Sequence, residues 1–263
     1  MCTKPRERLA LSRSCTTWHG APVGDCRLLP QARVRRAPHR GRVAGHRHPV
    51  LAGVHTHAVL VASGTCSHFL PLQSDDCLAA LGVDVAGVQA AAAQRGLLWT
   101  RVVVRDFDRL DQAAALPNMA RALNALIALG RVPYVHCTAG INRAPLSVVG
   151  LLTFARGWEL DAAVAQLRGN RQQANPYTEP WKAARARLLA GREEEVYARV
   201  AAAGGPSTAD GGDWIGRDWS AAQRQLIMDT FERAAACDVA LARGLVAAGG
   251  ANPAAAAFAD VLV

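Results

Sequence analysis

The stretch Val132-Pro-Tyr-Val-His-Cys-Thr-Ala-Gly-Ile-Asn-Arg-Ala-Pro145 is the most informative part of this chain. Val132 to Val135 is a short apolar run of the kind that forms a buried strand. His136 to Arg143 is a loop, and Ala144 to Arg156 is a helix stopped by Gly157. Within the loop the pattern is H-C-x-x-G-x-x-R. Four fixed positions arise by chance in 263 residues about once in several hundred chains. A cysteine just before a helix N-terminus, among inward-pointing backbone N–H groups, is stabilised as the thiolate. The same N–H groups, from Thr138 through Ala139, Gly140, Ile141 and Asn142 to Arg143, suit the oxygens of a phosphate. Gly140 allows the tight turn. Arg143 offers a planar fork for two of those oxygens. His136 reads as a residue that orients the loop by hydrogen bonding. Cys137 is thus the candidate nucleophile and Arg143 the candidate phosphate clamp, with no metal or cofactor required.

Working outward, Val85 to Gln94 predicts a short Ala-rich helix. Leu97 to Val104 predicts a buried strand, followed by the polar loop Arg105-Asp106-Phe107-Asp108. Pro117 to Leu129 predicts a helix with Met119, Leu123 and Ile127 on one face. Strand, loop, helix, strand, loop, helix is the order of an α/β fold with a parallel sheet. Ligands in such sheets sit beyond the carboxyl ends of the strands, where both polar loops emerge. The leaving group of a phosphate ester needs a proton, and the acid loop offers Asp106, Asp108 and Asp111. The residues alone do not choose among them.

Upstream, Val59 to Val61 reads as a strand and Gly64 to Asp76 as a loop. Residues 1–50 hold eleven Lys/Arg and two acids, Glu7 and Asp25, so they carry the whole formal charge of +9; the remainder is neutral. The body is therefore not shaped for nucleic acid. Residues 1–53 have no regular period and are expected to be disordered. They fit a transit peptide, a basic arm or translated non-coding sequence. The first implies a chloroplast address; without it the chain would be cytoplasmic. Seven scattered cysteines with no CxxC suggest neither a disulfide framework nor a zinc site, and no run of 18 apolar residues predicts a membrane span.

Downstream, helices are expected over Leu160–Leu167 and Glu179–Leu189, then a Gly-rich linker over 202–217. A last helix is expected over 219–247, with Ser220 and Gln223 as a capping box at its start. Its apolar stripe (Trp219, Ala222, Leu226, Phe231, Ala234, Leu241, Leu245) predicts packing across the domain or, in a homodimer, across a second copy. Trp99 reads as core, and Tyr177 and Trp181 as packing residues. The expected division is 1–53 as the basic segment, 54–195 as the catalytic domain and 196–263 as linker and helix.

At these residues the chain resembles the dual-specificity phosphatases, most closely the plant glucan phosphatases. Three segments carry the resemblance: Leu81-Gly-Val-Asp-Val85; Arg105-Asp-Phe-Asp108 with Leu116-Pro117; and Tyr134-Val-His-Cys-Thr-Ala-Gly140 closing with Arg143-Ala-Pro145. It implies a cysteine-phosphatase fold, in which a mainly parallel central sheet is flanked by helices and, here, extended by the C-terminal helix. It implies hydrolysis of a phosphomonoester through a phosphocysteine, with Asp106 as general acid and Phe107 as a contact for the sugar chain. Phosphorylated glucan is the favoured substrate; phosphoprotein or phosphoinositide hydrolysis, or a weakly active phosphate-binding scaffold, are the alternatives. Asn142 stands where those enzymes have a glycine, and Ala80-Leu81 where they have an aromatic pair, which predicts a weakened grip on glucan.

Overall fold

The computed structural model describes residues 8–11, 17–19, 66–205 and 214–247. Strands are β1 (Arg8–Leu11), β2 (Thr17–His19), β3 (His68–Pro71), β4 (Leu98–Trp99) and β5 (Pro133–His136). Helices are α1 (Asp75–Ala80), α2 (Val85–Gln94), α3 (Arg109–Ala128), α4 (Arg143–Gly150), α5 (Leu160–Asn170), α6 (Thr178–Leu189), α7 (Glu193–Ala202) and α8 (Trp214–Ala247). The sheet order is β2-β1-β5-β3-β4. β1, β5, β3 and β4 run parallel, and β2 pairs antiparallel at the edge. This is the expected α/β architecture.

The strands alternate faces as their pleat demands. Phe69, Trp99 and Tyr134 enter one apolar cluster with α2. Leu70 and Val135 enter the larger one, shared with α3, α4 and α8. All eight residues of α4 are buried, so it is the central helix. It crosses α3 so closely that a Cβ on Gly150 would lie 2.7 Å from Leu116 Cδ1. His68 sits fully buried in β3, with Nε2 2.8 Å from Thr100 Oγ1. Burial first, and the charge of Arg131 second, push its pKa down to about 4.

Several expectations need correction. The loop expected over Gly64–Asp76 contains the central strand β3 and the start of α1. Its core residues, Phe69, Leu70 and Leu72, are interrupted by Pro71, which breaks the strand period on paper. The strand expected over Leu97–Val104 pairs as a ladder only at Leu98–Trp99. The rest stays extended, with Thr100, Val102 and Val104 donating to the carbonyls of Phe69, Pro71 and Leu72 at 3.0–3.2 Å. Helix α3 starts eight residues before Pro117, because Asp108 caps it. The helix after the Cys137 loop does not run straight to Arg156; it widens into a π turn over Leu151–Ala155.

Two short strands lie within the segment 1–53 expected to lack regular structure; at three and four residues they are too short to show a period. The strand expected at Val59–Val61 lies outside the described residues. Helix α7 lies where none was expected. Ser220 and Gln223 are interior to α8, which begins at Trp214, so they form no cap.

The apolar stripe of α8 packs on its own domain. Leu226, Ile227, Phe231 and Ala242 join the main core, with Trp219, Ala222, Leu241 and Leu245 against it. A buried ion pair fastens the contact: Arg121 on α3 donates from Nε to Asp238 Oδ2 at 2.8 Å and from Nη2 to Oδ1. The side chains are 1% and 3% exposed. No helix among the described residues is long and apolar enough to cross a membrane.

Candidate active site

Three parallel strands deliver their carboxyl ends to one place. β5 ends at His136, level with Pro71 of β3, and Gln73 just beyond pairs with Val104. Cys137 follows at once, 6% exposed. Its sulfur accepts a hydrogen bond from the Gly140 N–H at 3.2 Å. The opposite end of that peptide plane, the Ala139 carbonyl, accepts from Arg171 Nη2 at 3.4 Å. The plane is thus oriented N–H inward and C=O outward, the arrangement that holds an anion at the sulfur. Arg171 Nε also donates to the Gly140 carbonyl at 3.2 Å, and the Asn175 N–H to the Ile141 carbonyl at 2.7 Å. Gly140 has φ 67°, which only glycine adopts without strain. His136 lies at 4.5 Å from the ring of Phe69, with Nδ1 3.2 Å from the Cys137 carbonyl, a wall and prop of the loop.

Arg143 opens α4 and is 1% exposed. Nη1 donates to the Val104 carbonyl at 2.8 Å, and Nη2 to Thr138 Oγ1 at 2.9 Å. Nη2 also meets Asp106 Oδ2 at 2.6 Å. Its Nε is buried with no partner among the described residues. The guanidinium is therefore fixed beside the loop and one hydrogen bond short.

The acid loop is sorted by what each carboxylate already does. Asp108 is the N-cap of α3, accepting from the Leu110 and Asp111 N–H groups at 3.1 and 2.9 Å. Asp111 accepts from the Arg105 N–H at 2.6 Å and faces the Arg105 side chain. Asp106 alone of the three reaches Arg143. Phe107 is the one non-glycine residue among those described with positive φ, at 58°. That backbone turns its ring outward, 79% exposed. Val103, Leu110 and Ile141 are likewise exposed large apolar side chains. Trp99 is core, its ring tilted against that of Phe69 at 4.8 Å. Trp181 packs on Phe154 at 6.0 Å, and Tyr177 lies under the Arg109 guanidinium at 5.1 Å.

Four residues here have no signal in the sequence. Arg171 and Asn175 hold the outer side of the loop from beyond α5. Gln112 in α3 accepts from Asn142 Nδ2 at 3.0 Å. Cys77 has its sulfur 3.6 Å from Arg143 Nη1. Burial alone would raise its pKa, but the Ser74 hydroxyl, Arg143 and the Asp106 N–H outweigh that and hold it below the ordinary thiol value. Each is a single polar residue whose role exists only through a partner at least 30 positions away. Asn142 has φ −117°, so this position makes no demand for glycine.

No family model matches the chain. Over 127 residues it is 33% identical to the phosphoglucan phosphatase DSP4, amyloplastic, of Castanea sativa, a match covering 48% of this chain and 34% of that protein. Over 67 residues it is 33% identical to laforin of Mus musculus, covering 26% of this chain and 20% of laforin. The chain thus spans about a third of the first relative and a fifth of the second. Among solved structures, it is similar to PTPMT1 in complex with PI(5)P, at 17% identity and TM-score 0.42 over 49% of this chain and 81% of that one. It is also similar to the active form of Tk-PTP, at 20% identity and TM-score 0.40 over 48% and 82%.

Proposed function

We propose that this chain, a relative of the dual-specificity phosphatases close to the plant glucan phosphatases, hydrolyses phosphomonoesters through a phosphocysteine intermediate. The observation that carries this is the convergence of Cys137, Arg143 and Asp106 at the carboxyl ends of three parallel strands, with Arg143 2.6 Å from Asp106 and bonded to Thr138 of the Cys137 loop. The phosphoryl group is cradled by the loop N–H groups from Thr138 to Arg143. The Arg143 fork, with its unpartnered Nε, holds two phosphoryl oxygens into the transition state. The Cys137 thiolate attacks phosphorus as the P–O ester bond breaks, and the leaving oxygen takes a proton from Asp106. Asp106, now a carboxylate, takes a proton from water. That water attacks phosphorus, the S–P bond breaks, and inorganic phosphate leaves with the thiolate restored. An incoming dianion displaces Asp106 from the guanidinium, and the freed carboxyl, having taken up a proton from solvent, faces the ester oxygen.

Phosphorylated glucan is the substrate we favour. A phosphoglucan phosphatase is among the relatives of this chain, and the outward ring of Phe107 beside Asp106 gives a sugar ring an apolar face to stack on. With Leu81 in place of an aromatic, soluble or short phosphoglucans should be better substrates than granules. An amyloplastic relative and the Arg-rich, acid-poor first 50 residues favour a plastid address.

The test is phosphate release from phosphorylated amylopectin and from phosphopeptides, with Cys137→Ser as control. The variant should lose turnover on both while still binding vanadate through the N–H cradle and Arg143. Turnover at the wild-type level in Cys137→Ser would refute the mechanism. Preference for phosphopeptide would refute the substrate. Phe107→Ala should reduce phosphoglucan hydrolysis far more than hydrolysis of a small aryl phosphate; equal loss on both would mean that the ring only shapes the acid loop.

A further inference from the structure

The side-chain amides of Gln112 and Asn142 meet between the two elements that each carry half of the site. Gln112 lies in the first turn of α3, fully buried, with its backbone N–H bonded to the Asp108 carbonyl at 3.0 Å. That turn grows directly out of the loop bearing Asp106. Asn142 immediately precedes Arg143, and its carbonyl accepts the first helical bond of α4, from Leu146 at 2.8 Å. Both ends of its amide are engaged: Nδ2 donates to Gln112 Oε1 at 3.0 Å, and Oδ1 accepts from the Tyr177 N–H at 2.9 Å.

Packing does not account for this amide pair. Gln112 Nε2 is buried with no partner among the described residues, and such an orphan donor is destabilising. Methionine would fill the same space without that penalty. What glutamine adds is an acceptor for Asn142. The backbone at Asn142, at φ −117°, suits any residue, so what asparagine adds is likewise its side chain.

The pair matters because, on the mechanism above, the Arg143–Asp106 link between the halves is broken during turnover. Arg143 joins them directly, touching both Asp106 and Thr138. A bound phosphate dianion competes for that guanidinium. Once it does, the Gln112–Asn142 bond still ties the turn behind the acid to the residue before the clamp. Building on the phosphatase mechanism above, we propose that Gln112 and Asn142 are positioning residues that hold Asp106 in line with the leaving oxygen while Arg143 is occupied by substrate.

The test is a double-mutant cycle on kcat/KM with Gln112→Met, Asn142→Gly and the two combined, using aryl phosphates with good and poor leaving groups. A poor leaving group needs the proton, so misplacement of Asp106 shows there first. Each single variant should lose about tenfold more on phenyl phosphate than on p-nitrophenyl phosphate, and the double variant no more than the worse single. An unchanged ratio between the two esters, or losses that add, would overturn the proposal, since a merely structural role slows both esters alike. If Gln112→Met does not fold, Asn142→Ala at its half-exposed position supplies the same ratio. Failure of the phosphatase mechanism would look different: Cys137→Ser would retain wild-type turnover on both esters.

Discussion

Two arginines in this protein are buried to the same degree and put to opposite uses. Arg143 and Arg121 are each 1% exposed, and each faces an aspartate. The partner of Arg121, Asp238, is 3% exposed and accepts from its Nε and Nη2 with both carboxylate oxygens. The partner of Arg143, Asp106, is 26% exposed and sits on a loop whose neighbour Phe107 points into solvent. The closed pair is sealed in the core, while the open pair leaves its aspartate within reach of solvent, as the proposed exchange for a phosphate requires. The difference lies in how accessible the carboxylate is.

That comparison is broken most severely at Arg143. Replacement by lysine keeps the charge and removes the fork. Steady-state kinetics should show kcat/KM lower by about 10³-fold, near 4 kcal/mol, with little change in melting temperature. A loss under about tenfold, or 1.4 kcal/mol, would argue against a two-oxygen clamp. The mirror experiment is Asp238→Ala. It leaves a buried guanidinium unpaired and should destabilise by about 3–5 kcal/mol in urea unfolding, while kcat/KM of the folded fraction stays near wild type. Replacing both partners with apolar residues, Arg121→Met with Asp238→Leu, should recover most of that stability. If the double replacement is no better than Asp238→Ala, the pair does more than close a seam.

A smaller effect sharpens the open pair. Asp106→Asn should slow esters with poor leaving groups by about 10²-fold and those with good ones much less. If Asp108→Asn shows that selectivity instead, Asp106 is not the acid. The smallest effect comes from His68, a group buried without any ion-pair partner. Its pKa is about 4 in the folded protein against an ordinary 6.5. The unfolded chain therefore binds the extra proton between those values, and stability present above pH 6.5 is lost as pH falls toward 4. The loss should be on the order of 1–3 kcal/mol. Urea titrations at pH 7 and 5 should show it, and His68→Asn should flatten the difference. An unchanged midpoint in the wild type would mean that His68 is solvated.

How much of this could be read in the chain depends on the range of the interactions. Cys137, Gly140 and Arg143 lie within seven positions of one another, and the turn that joins them is local, so their spacing alone reports their chemistry. The same holds for Asp108, whose capping bonds go two and three residues ahead. The last helix was visible in its apolar stripe, but Asp238 was not, because its partner lies 117 positions away. β3 escapes the sequence reading because it is only four residues long and ends in Pro71, and what makes it a strand is pairing with β5 and β4 on either side.

The residues in order determined an α/β chain with a thiol, a glycine turn and an arginine at one strand end, since these follow from short-range backbone geometry. Which of Asp106, Asp108 and Asp111 faces Arg143 was decided only when the chain folded. Asp108 is consumed by a helix cap and Asp111 by Arg105, while Val104 brings Asp106 to the guanidinium. Three carboxylates of equal chemistry become different because a carboxylate's role is set by the donors it meets. Those donors come from strands and helices far apart in the chain.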